Sequence, residues 1–177
     1  MAKAPVLVID LQTDMFSGVN TAPIHDADAL VERTRAVIDW ARRTGRKVAF
    51  IRHDEEPGGP LAPGAPGWPI WPALGQGPDE PVFSKEVGDA FSNSALGDWV
   101  AGQGADGVIL LGAQTDHCVA ATVGGALSRG LKVTVVGDAH STWDYAGETA
   151  EAIIARHNAG FRAGGAEVVD VRALIAG

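Results

Sequence analysis

The chain of 177 residues carries a formal net charge of −8, and 46% of its residues are hydrophobic and 20% charged. This balance is that of a folded globular protein, and the negative charge disfavours nucleic acid as a partner. No apolar run is long enough to cross a membrane, so no membrane partner is expected, and the opening MAKAPVLVID is typical of a strand and not of a signal peptide. A single cysteine, Cys118, excludes an internal disulfide, which favours a cytoplasmic location.

Strands and helices are predicted to alternate along the chain. In chain order we predict a strand at 5–10, a helix at 26–44, strands at 47–52 and 82–85, a helix at 93–103, a strand at 107–112, a helix at 116–129, a strand at 132–138, a helix at 147–163 and a strand at 166–171. Strands that are apolar on both faces indicate a parallel sheet covered on both sides. We therefore predict one α/β domain over residues 1–177, a three-layer α/β/α sandwich around a mostly parallel sheet.

The segment from Pro57 to Pro81 differs from the rest of the chain because it holds eight of the ten prolines and six glycines. Such a composition excludes a helix or a central strand. A loop of this length in a compact domain is usually functional or a linker, and its two tryptophans argue against a plain linker. Trp68 and Trp71 either roof a pocket, anchor the loop on the core or contact another subunit.

Three chemically reactive residues follow predicted strands, at the edge of the sheet where open parallel sheets bind ligands. Asp10 closes the first strand, Lys85 closes the strand 82–85, and Cys118 follows the strand 107–112 at the start of a helix. Singly, each has an ordinary structural interpretation as a capping carboxylate, a solvated lysine or a buried cysteine. Together they are chemically consistent. Lys85 and the helix N-terminus would lower the pKa of the Cys118 thiol, and Asp10 would accept and return its proton.

Four stretches in the same order resemble the isochorismatase-like cysteine hydrolases, and most of all their streptothricin hydrolase-like members. They are VIDLQTDMF (8–16), FSKEVGDAFSNSAL (83–96), GAQTDHCVAATV (112–123) and VVGDAHSTWD (135–144). The resemblance implies a catalytic triad of Asp10, Lys85 and Cys118, and a cis peptide bond between Ala113 and Gln114. Main-chain N–H groups at Gln114 and Cys118 are then expected to form an oxyanion hole.

The same resemblance implies a hydrolase that cleaves a C–N bond, in an amide or a lactam, through an acyl-enzyme on Cys118. It also implies a homodimer or homotetramer. Members of the nicotinamidase type bind a metal through an Asp and at least two His after the second strand. Here that loop offers only His53 beside carboxylates, so we expect no metal and no cofactor. A nicotinamidase- or ureide-type amidohydrolase, an isochorismatase proper and an inactive binding module are the alternatives.

Several side chains are predicted to contact the substrate. They are Gln12, Phe16, His53, Trp68, Phe91, His117 and Trp143. His53 either hydrogen-bonds a substrate or packs against the loop, and His140 either lines the cavity or makes a structural hydrogen bond. His117 is the alternative base in a Cys–His pair. We favour Asp10, because adjacent residues near a helix start point in different directions. His157, on the last predicted helix, is expected at the surface or at an interface.

Three rival classes lack a residue that their chemistry needs. A phosphatase of the haloacid dehalogenase type needs a second Asp two residues after the first, where this chain has Gln12. A dinucleotide-binding domain needs a Gly-x-Gly-x-x-Gly turn after the first strand, where this chain has LQTDMF. A Gly-x-Cys-x-Gly nucleophile elbow is absent, because Asp116 and Ala120 flank Cys118.

Overall fold

Six parallel strands form one sheet in the computed structural model, which describes residues 2–145 and 147–177. The strands are β1 (Val6–Ile9), β2 (Val48–His53), β3 (Val82–Lys85), β4 (Gly107–Ala113), β5 (Lys132–Ser141) and β6 (Glu167–Val169). Their order in the sheet is β3-β2-β1-β4-β5-β6, and each neighbouring pair is parallel. The predicted parallel α/β architecture is confirmed. Two residues of the predicted domain 1–177, Met1 and Ala146, lie outside the described residues.

Helices cover both faces of this sheet. They are α1 (Asp14–Ser17), α2 (Ala27–Arg43), α3 (Ser94–Gly102), α4 (Ala120–Ser128), α5 (Ala150–Ala163) and α6 (Val171–Ala176). Single 3₁₀ turns lie at Pro72–Leu74 and Ala90–Ser92, and a π-helical turn lies at Thr115–Val119. Within residues 2–145 and 147–177, no helix combines the length and the apolar character that a membrane span requires.

Alternate side chains of β1 enter two separate cores, as the pleat of a strand requires. Val6 and Val8 pack on the face that α2 and α6 cover, whereas Leu7 and Ile9 pack on the face of α3, α4 and α5. All four are 0% exposed. Burial of each such side chain stabilises the fold by about 1.5–3 kcal/mol, so the central strand is firmly held at the position where Asp10 follows it.

The element bounds differ from the predicted ones mainly on the β5 side of the sheet. Strand β5 continues to Ser141, three residues beyond the predicted end, because Gly112 and Ala113 of β4 pair with His140 and Ser141 after a bulge. The segment GDAHS lacks the apolar run that signals a strand, so only this long-range pairing reveals it. The predicted helix 116–129 begins as the π-helical turn, and α1 and α6 were not predicted.

The strand order places a switch point between β1 and β4. The chain moves outward from β1 to β3 and then crosses to the other side of β1 with β4. In open parallel sheets, ligands bind in the crevice that such a reversal leaves at the carboxyl ends of the strands. The loops after β1 and β4 border this crevice, and the ends of β2 and β3 lie beside it.

Candidate active site

The ammonium group of Lys85 joins three side chains from three other strand ends. Its Nζ lies 2.7 Å from Oδ2 of Asp10, 3.1 Å from Nδ1 of His53 and 3.2 Å from Sγ of Cys118. The structure thus brings together the three residues of the predicted triad, which are 75 and 33 positions apart in the chain. His53 joins them because it is the register partner of Lys85 across the β2–β3 pair.

Burial makes these contacts necessary for Lys85. Its side chain is 0% exposed and that of Asp10 is 2% exposed. An ammonium group has three N–H donors and is expensive to bury without acceptors. The carboxylate, the imidazole nitrogen and the sulfur provide one acceptor for each donor. The cluster is therefore a fully paired cation, held by the ends of β1 and β2 and by the turn after β4.

The backbone at Asp10 has an unusual conformation, with φ at +49°, a left-handed value that few residues other than glycine adopt. Its N–H still donates to the carbonyl oxygen of Ile51, so the chain turns sharply just as it leaves β1. Oδ2 is occupied by Lys85, while Oδ1 is buried and has no hydrogen-bond partner among the described residues. This second oxygen is available to take a proton.

Cys118 is half-buried within the π-helical turn, and its side chain packs against the core on the α3, α4 and α5 face. Burial raises the pKa of its thiol to about 12, the Asp10 carboxylate adds to the rise, and the Lys85 ammonium opposes it. Lys85 thus acts on this pKa in the predicted direction, but burial outweighs it. Removal of water destabilises the sulfur anion by more than one cation stabilises it, so the resting group is a thiol and needs a base.

A glycine allows β4 to approach β1 beside this turn. Gly112 has φ at +132°, and a Cβ atom there would lie 2.1 Å from the carbonyl oxygen of Ile9, its register partner. Any other residue would therefore separate the two strands where the Asp10 and Cys118 loops leave them. Shortly after this glycine, the peptide bond between Ala113 and Gln114 is cis.

Gln12, predicted to contact substrate, instead lies beneath the site. It is 0% exposed, and its amide group is fully used by the main chain. Nε2 donates to the carbonyl oxygens of His53 and Trp68, and Oε1 accepts the N–H of His53. With no atom left for a ligand, Gln12 joins the end of β2 to the glycine- and proline-rich loop.

The two tryptophans of that loop have different neighbours. Trp68 is half-buried, donates from Nε1 to Asp54 at 2.7 Å, and lies 3.6 Å below the guanidinium of Arg52, close to the end of β2. Trp71 stacks on Phe16, with ring centroids 5.3 Å apart, and both pack on the α2-side core. Trp68 thus stays a candidate for the pocket, whereas Trp71 anchors the loop and lines, with Phe16, a separate cavity of about 380 Å³ that includes no member of the Lys85 cluster.

Three other side chains that were predicted to contact the substrate contact other parts of the protein. Phe91 is 4% exposed and belongs to the core, where sequence reasoning mistook a buried ring for a pocket wall. Trp143 donates its indole N–H to the carbonyl oxygen of Ala22 and packs on the α2-side core. The side chain of His117 is 60% exposed and contacts Asp116 and Tyr145. Its ring thus contacts these partners, whereas the side-chain contact of the Cys118 sulfur is with Lys85.

Sequence reasoning missed several contacts on the other side of the nucleophile. Three hydrogen bonds hold consecutive residues at the start of the turn. Gln114 accepts from Tyr145, Thr115 bonds to His140, and Asp116 accepts from Thr142. His140 therefore makes a structural hydrogen bond, one of the two roles predicted for it. The only signal in the sequence was the polar character of HSTWDY directly after a strand.

Two cavities adjoin the Lys85 cluster. One of about 380 Å³ is lined by Asp54, Ser84, Lys85, Glu86, Val87, Ser92 and Asn93. The other, of about 440 Å³, is lined by His53, Asp54, Glu55, Glu56, Pro57, Pro63 and Glu86. Both share Asp54 and Glu86, so carboxylates border the approach to the site. Arg52, the nearby cation, faces the Trp68 ring and Asp54 at 3.7 Å.

Among the described residues, one group of side chains has the spacing to hold a metal ion, but it does not fit one while Lys85 is in place. Ligand atoms of Asp10, His53 and Cys118 lie within 4.8 Å of one another. The Lys85 ammonium, however, already contacts all three of these side chains. A second cation among the same ligands would meet like charge at close range. These residues therefore support chemistry that uses an ammonium group and not a divalent metal.

Known proteins resemble this chain over most of its length. A family model of the isochorismatase domain matches residues 4–172. Two streptothricin hydrolases from Streptomyces noursei are 37% and 35% identical over 139 residues, which is 78% of this chain. The chain spans about half the length of these curated relatives, since the matches cover 54% and 50% of them.

Solved structures show the same architecture. An isochorismatase from Pseudomonas putida KT2440 superposes with a TM-score of 0.89 at 27% identity, covering 97% of this chain and 90% of the other. A cysteine hydrolase from Pseudomonas syringae pv. phaseolicola 1448A has a TM-score of 0.91 at 20% identity, covering 99% and 92%. At that identity the second likeness shows the fold alone.

Proposed function

This chain belongs to the isochorismatase domain family, and we propose that it hydrolyses a C–N bond of a small molecule, an amide or a lactam, with Cys118 as nucleophile. The observation that carries the proposal is the buried ammonium of Lys85, which contacts both the Asp10 carboxylate and the Cys118 sulfur. The similarity to two streptothricin hydrolases supports hydrolysis as the reaction.

In the first half of the reaction, Asp10 acts as the base for a neutral thiol. Its unpartnered Oδ1 takes the proton of Cys118 as the sulfur attacks the carbonyl carbon. The ammonium of Lys85 stabilises the negative charge that develops on sulfur. When the tetrahedral intermediate collapses, Asp10 gives the proton to the departing nitrogen. An amine or ammonia leaves, or the lactam ring opens, and the acyl group stays on Cys118 as a thioester.

In the second half, Asp10 takes a proton from a water molecule that attacks the thioester. The C–S bond breaks, the sulfur regains the proton, and a carboxylic acid is released. Each tetrahedral intermediate carries a negative oxygen, for which we propose the main-chain N–H groups of Gln114 and Cys118 as donors. Both belong to the turn that follows β4, so the donors and the nucleophile would move as one unit.

The charges around the two cavities favour neutral or positively charged substrates over anionic ones. Glu86 and Asp54 line both cavities, and Glu55 and Glu56 line the larger one. Arg52 is engaged by Trp68 and Asp54. An anionic substrate such as that of an isochorismatase would meet several carboxylates, while Lys85, the cation among the described lining residues, is already paired with Asp10. This argues for an amide or lactam hydrolase within the family.

The proposal is tested with a panel of small amides, lactams, ureides and nicotinamide, read by release of ammonia or amine. The panel includes pairs that differ only in whether a remote group is a carboxylate or an amine. We expect turnover of at least one compound by the wild type, faster reaction of the amine member of each pair, and an acyl adduct on Cys118 by mass spectrometry.

Matched variants separate the nucleophile from the fold. Cys118→Ala should abolish turnover, while Ser128→Ala, an exposed position at the end of α4, should keep it. Full activity in Cys118→Ala would exclude the mechanism. A complete absence of turnover by the wild type on the panel would favour a binding module.

A further inference from the structure

Three side chains at and after the end of β5 hold three consecutive residues of the turn that carries Cys118. We call His140, Thr142 and Tyr145 the turn clamp. His140 Nδ1 lies 2.8 Å from the hydroxyl of Thr115. The Thr142 hydroxyl donates to Asp116 at 2.7 Å, and the Tyr145 hydroxyl donates to the side-chain oxygen of Gln114 at 2.8 Å. The turn is thus held at every residue from 114 to 116.

The innermost contact has a defined direction. A main-chain carbonyl can only accept, so the Asn158 group that bonds to the carbonyl of Gly137 at 2.8 Å is its NH₂. The other end of that amide, Oδ1, then accepts from Nε2 of His140 at 3.0 Å. Because a neutral imidazole carries one proton, Nδ1 has none and accepts from the Thr115 hydroxyl. Two directed hydrogen bonds therefore connect the nucleophile turn to Asn158 of α5, and a third fixes Asn158 to Gly137 of β5.

The contact between Thr115 and His140 is buried, although Asn158 borders a cavity of about 290 Å³. Thr115 is 0% exposed and His140 is 3% exposed, and the edge of the Phe161 ring lies against His140 with centroids 5.9 Å apart. Burial lowers the pKa of His140 to about 4, so the imidazole stays neutral and its tautomer does not change at ordinary pH. A buried hydroxyl that lost this acceptor would have no water to replace it.

The clamp itself is fixed to a second loop. The Ser141 hydroxyl donates to the carbonyl of His25 at 2.6 Å, and the N–H of His25 donates to the carbonyl of Thr142. His140 therefore lies in a rigid segment and can impose its position on Thr115. Thr115 is only three residues from Cys118, within the same π-helical turn.

We propose that His140 is a positioning residue: through Thr115 it holds the turn so that the Cys118 thiol stays against Asp10 and Lys85. The inference rests on the proposed function in that Cys118 is taken as the nucleophile. A loosened turn would expose the thiol to water and so remove burial, the largest influence that holds its pKa high. The thiol would also move away from Asp10, which raises its pKa, and from Lys85, which lowers it, so these two losses partly cancel. The thiol would then ionise more readily while being misplaced for reaction.

The test compares Thr115→Val, which keeps the shape but removes the hydroxyl, with Thr115→Ser, which keeps the hydroxyl. Alkylation of Cys118 by iodoacetamide is followed at pH 8 and as a pH profile. We expect Thr115→Val to react at least tenfold faster than the wild type, with the midpoint of its profile shifted to lower pH. Thr115→Ser should stay within about twofold of the wild type.

A control variant removes an equally buried hydroxyl elsewhere. Thr122 is 0% exposed and bonds to the N–H of Ala90 and not to the turn. Thr122→Val should lower the free energy of unfolding in urea without raising the alkylation rate. His140→Leu should match Thr115→Val, and the double variant should react no faster than either, because both changes break one contact.

The proposal is overturned if Thr115→Val and Thr115→Ser react alike, or if the alkylation effects of Thr115→Val and His140→Leu multiply. The Thr115 pair decides the question even where His140→Leu fails to fold. With a substrate from the panel, Thr115→Val should lower kcat with little change in KM. Since alkylation needs no substrate, a failure of the proposed hydrolysis would leave this result readable.

Discussion

The two sides of Cys118 are built from different kinds of interaction. On the side of β1, β2 and β3, the sulfur meets a buried ammonium and its carboxylate partner, Lys85 and Asp10. On the side of β5, its turn is held by the turn clamp, whose own side chains are uncharged and of which His140 and Thr142 are buried. Charged groups shift the protonation of a neighbouring thiol across several ångströms. A hydrogen bond instead fixes the relative position of two groups and needs them in contact. One side therefore sets the chemistry of the thiol and the other sets its place.

The two sides should also fail differently. Loss of one partner from a buried ion pair leaves a charge without compensation, which costs about 3–5 kcal/mol. A buried neutral group that loses its partner costs about 1–3 kcal/mol. Variants on the charged side should thus alter ionisation and rate strongly, while variants on the neutral side should have smaller effects that depend on geometry.

The largest effect is expected for Asp10→Asn, which removes the proposed base and keeps its shape. Turnover should fall by on the order of 10³- to 10⁴-fold. Alkylation of Cys118 at pH 9 should instead become faster, because the Asp10 carboxylate helps to raise the pKa of the thiol. Rates of product release and of iodoacetamide reaction measure the two effects. A parallel fall of both would mean that Asp10 acts by holding the fold and not as the base.

On the neutral side, His140 should make the stability of the protein depend on pH. The pKa of His140 in the folded protein, about 4, lies below its ordinary value of 6.5. Between these two pH values, the imidazole is therefore protonated in the unfolded chain and neutral in the folded one. This contribution is complete above pH 6.5 and is lost as the pH falls from 6.5 to 4. It amounts to at most about 3 kcal/mol.

Urea unfolding at pH 7, 5.5 and 4 measures this loss in the wild type and in His140→Gln, whose side chain does not titrate. The free energy of unfolding should fall more steeply in the wild type. The titration of His157 itself is present in both proteins and cancels in the difference, while its repulsion of a charge on His140 is part of the loss that is measured. Equal slopes would show that His140 does not enter the folded state as a neutral group.

A smaller effect is expected for Lys85→Met, which fills similar space without the charge. The Lys85 ammonium opposes the rise in the pKa of Cys118. Without it the thiolate should be rarer, and alkylation at pH 9 should slow by about tenfold, which corresponds to about 1.4 kcal/mol. Asp10→Asn and Lys85→Met should therefore change the alkylation rate of Cys118 in opposite directions, because the two charges act oppositely on the pKa of the thiol. An unchanged rate would remove Lys85 from that role.

The smallest effect belongs to the outermost member of the clamp. Tyr145 is 44% exposed, so water can replace its hydrogen bond to Gln114. Tyr145→Phe should change the alkylation rate of Cys118 by less than about threefold, in line with a net value of about 1 kcal/mol or less for an exposed hydrogen bond. An effect as large as that of Thr115→Val would show that the exposed contact between Tyr145 and Gln114 holds the turn as firmly as the buried one does.

The strand ends could be predicted from the sequence, but the neighbours of each side chain could not. Asp10, Lys85 and Cys118 were found because apolar runs reveal buried strands, and reactive residues follow three of them. Phe91 and Gln12 were misjudged, because closeness in the chain to a reactive residue does not say which way a side chain points. A shift of one residue along a strand reverses the face on which a side chain lies.

Local periodicity and residue type were enough to predict the alternation of strands and helices, the parallel sheet, and the positions of Asp10, Lys85 and Cys118 at or after strand ends. Three other features became visible in the folded protein: Lys85 contacts Asp10, His53 and Cys118 together, burial raises the pKa of the thiol, and His140 reaches Thr115. Each of these depends on strand order and on the exclusion of water, and both arise from contacts between residues far apart in the chain.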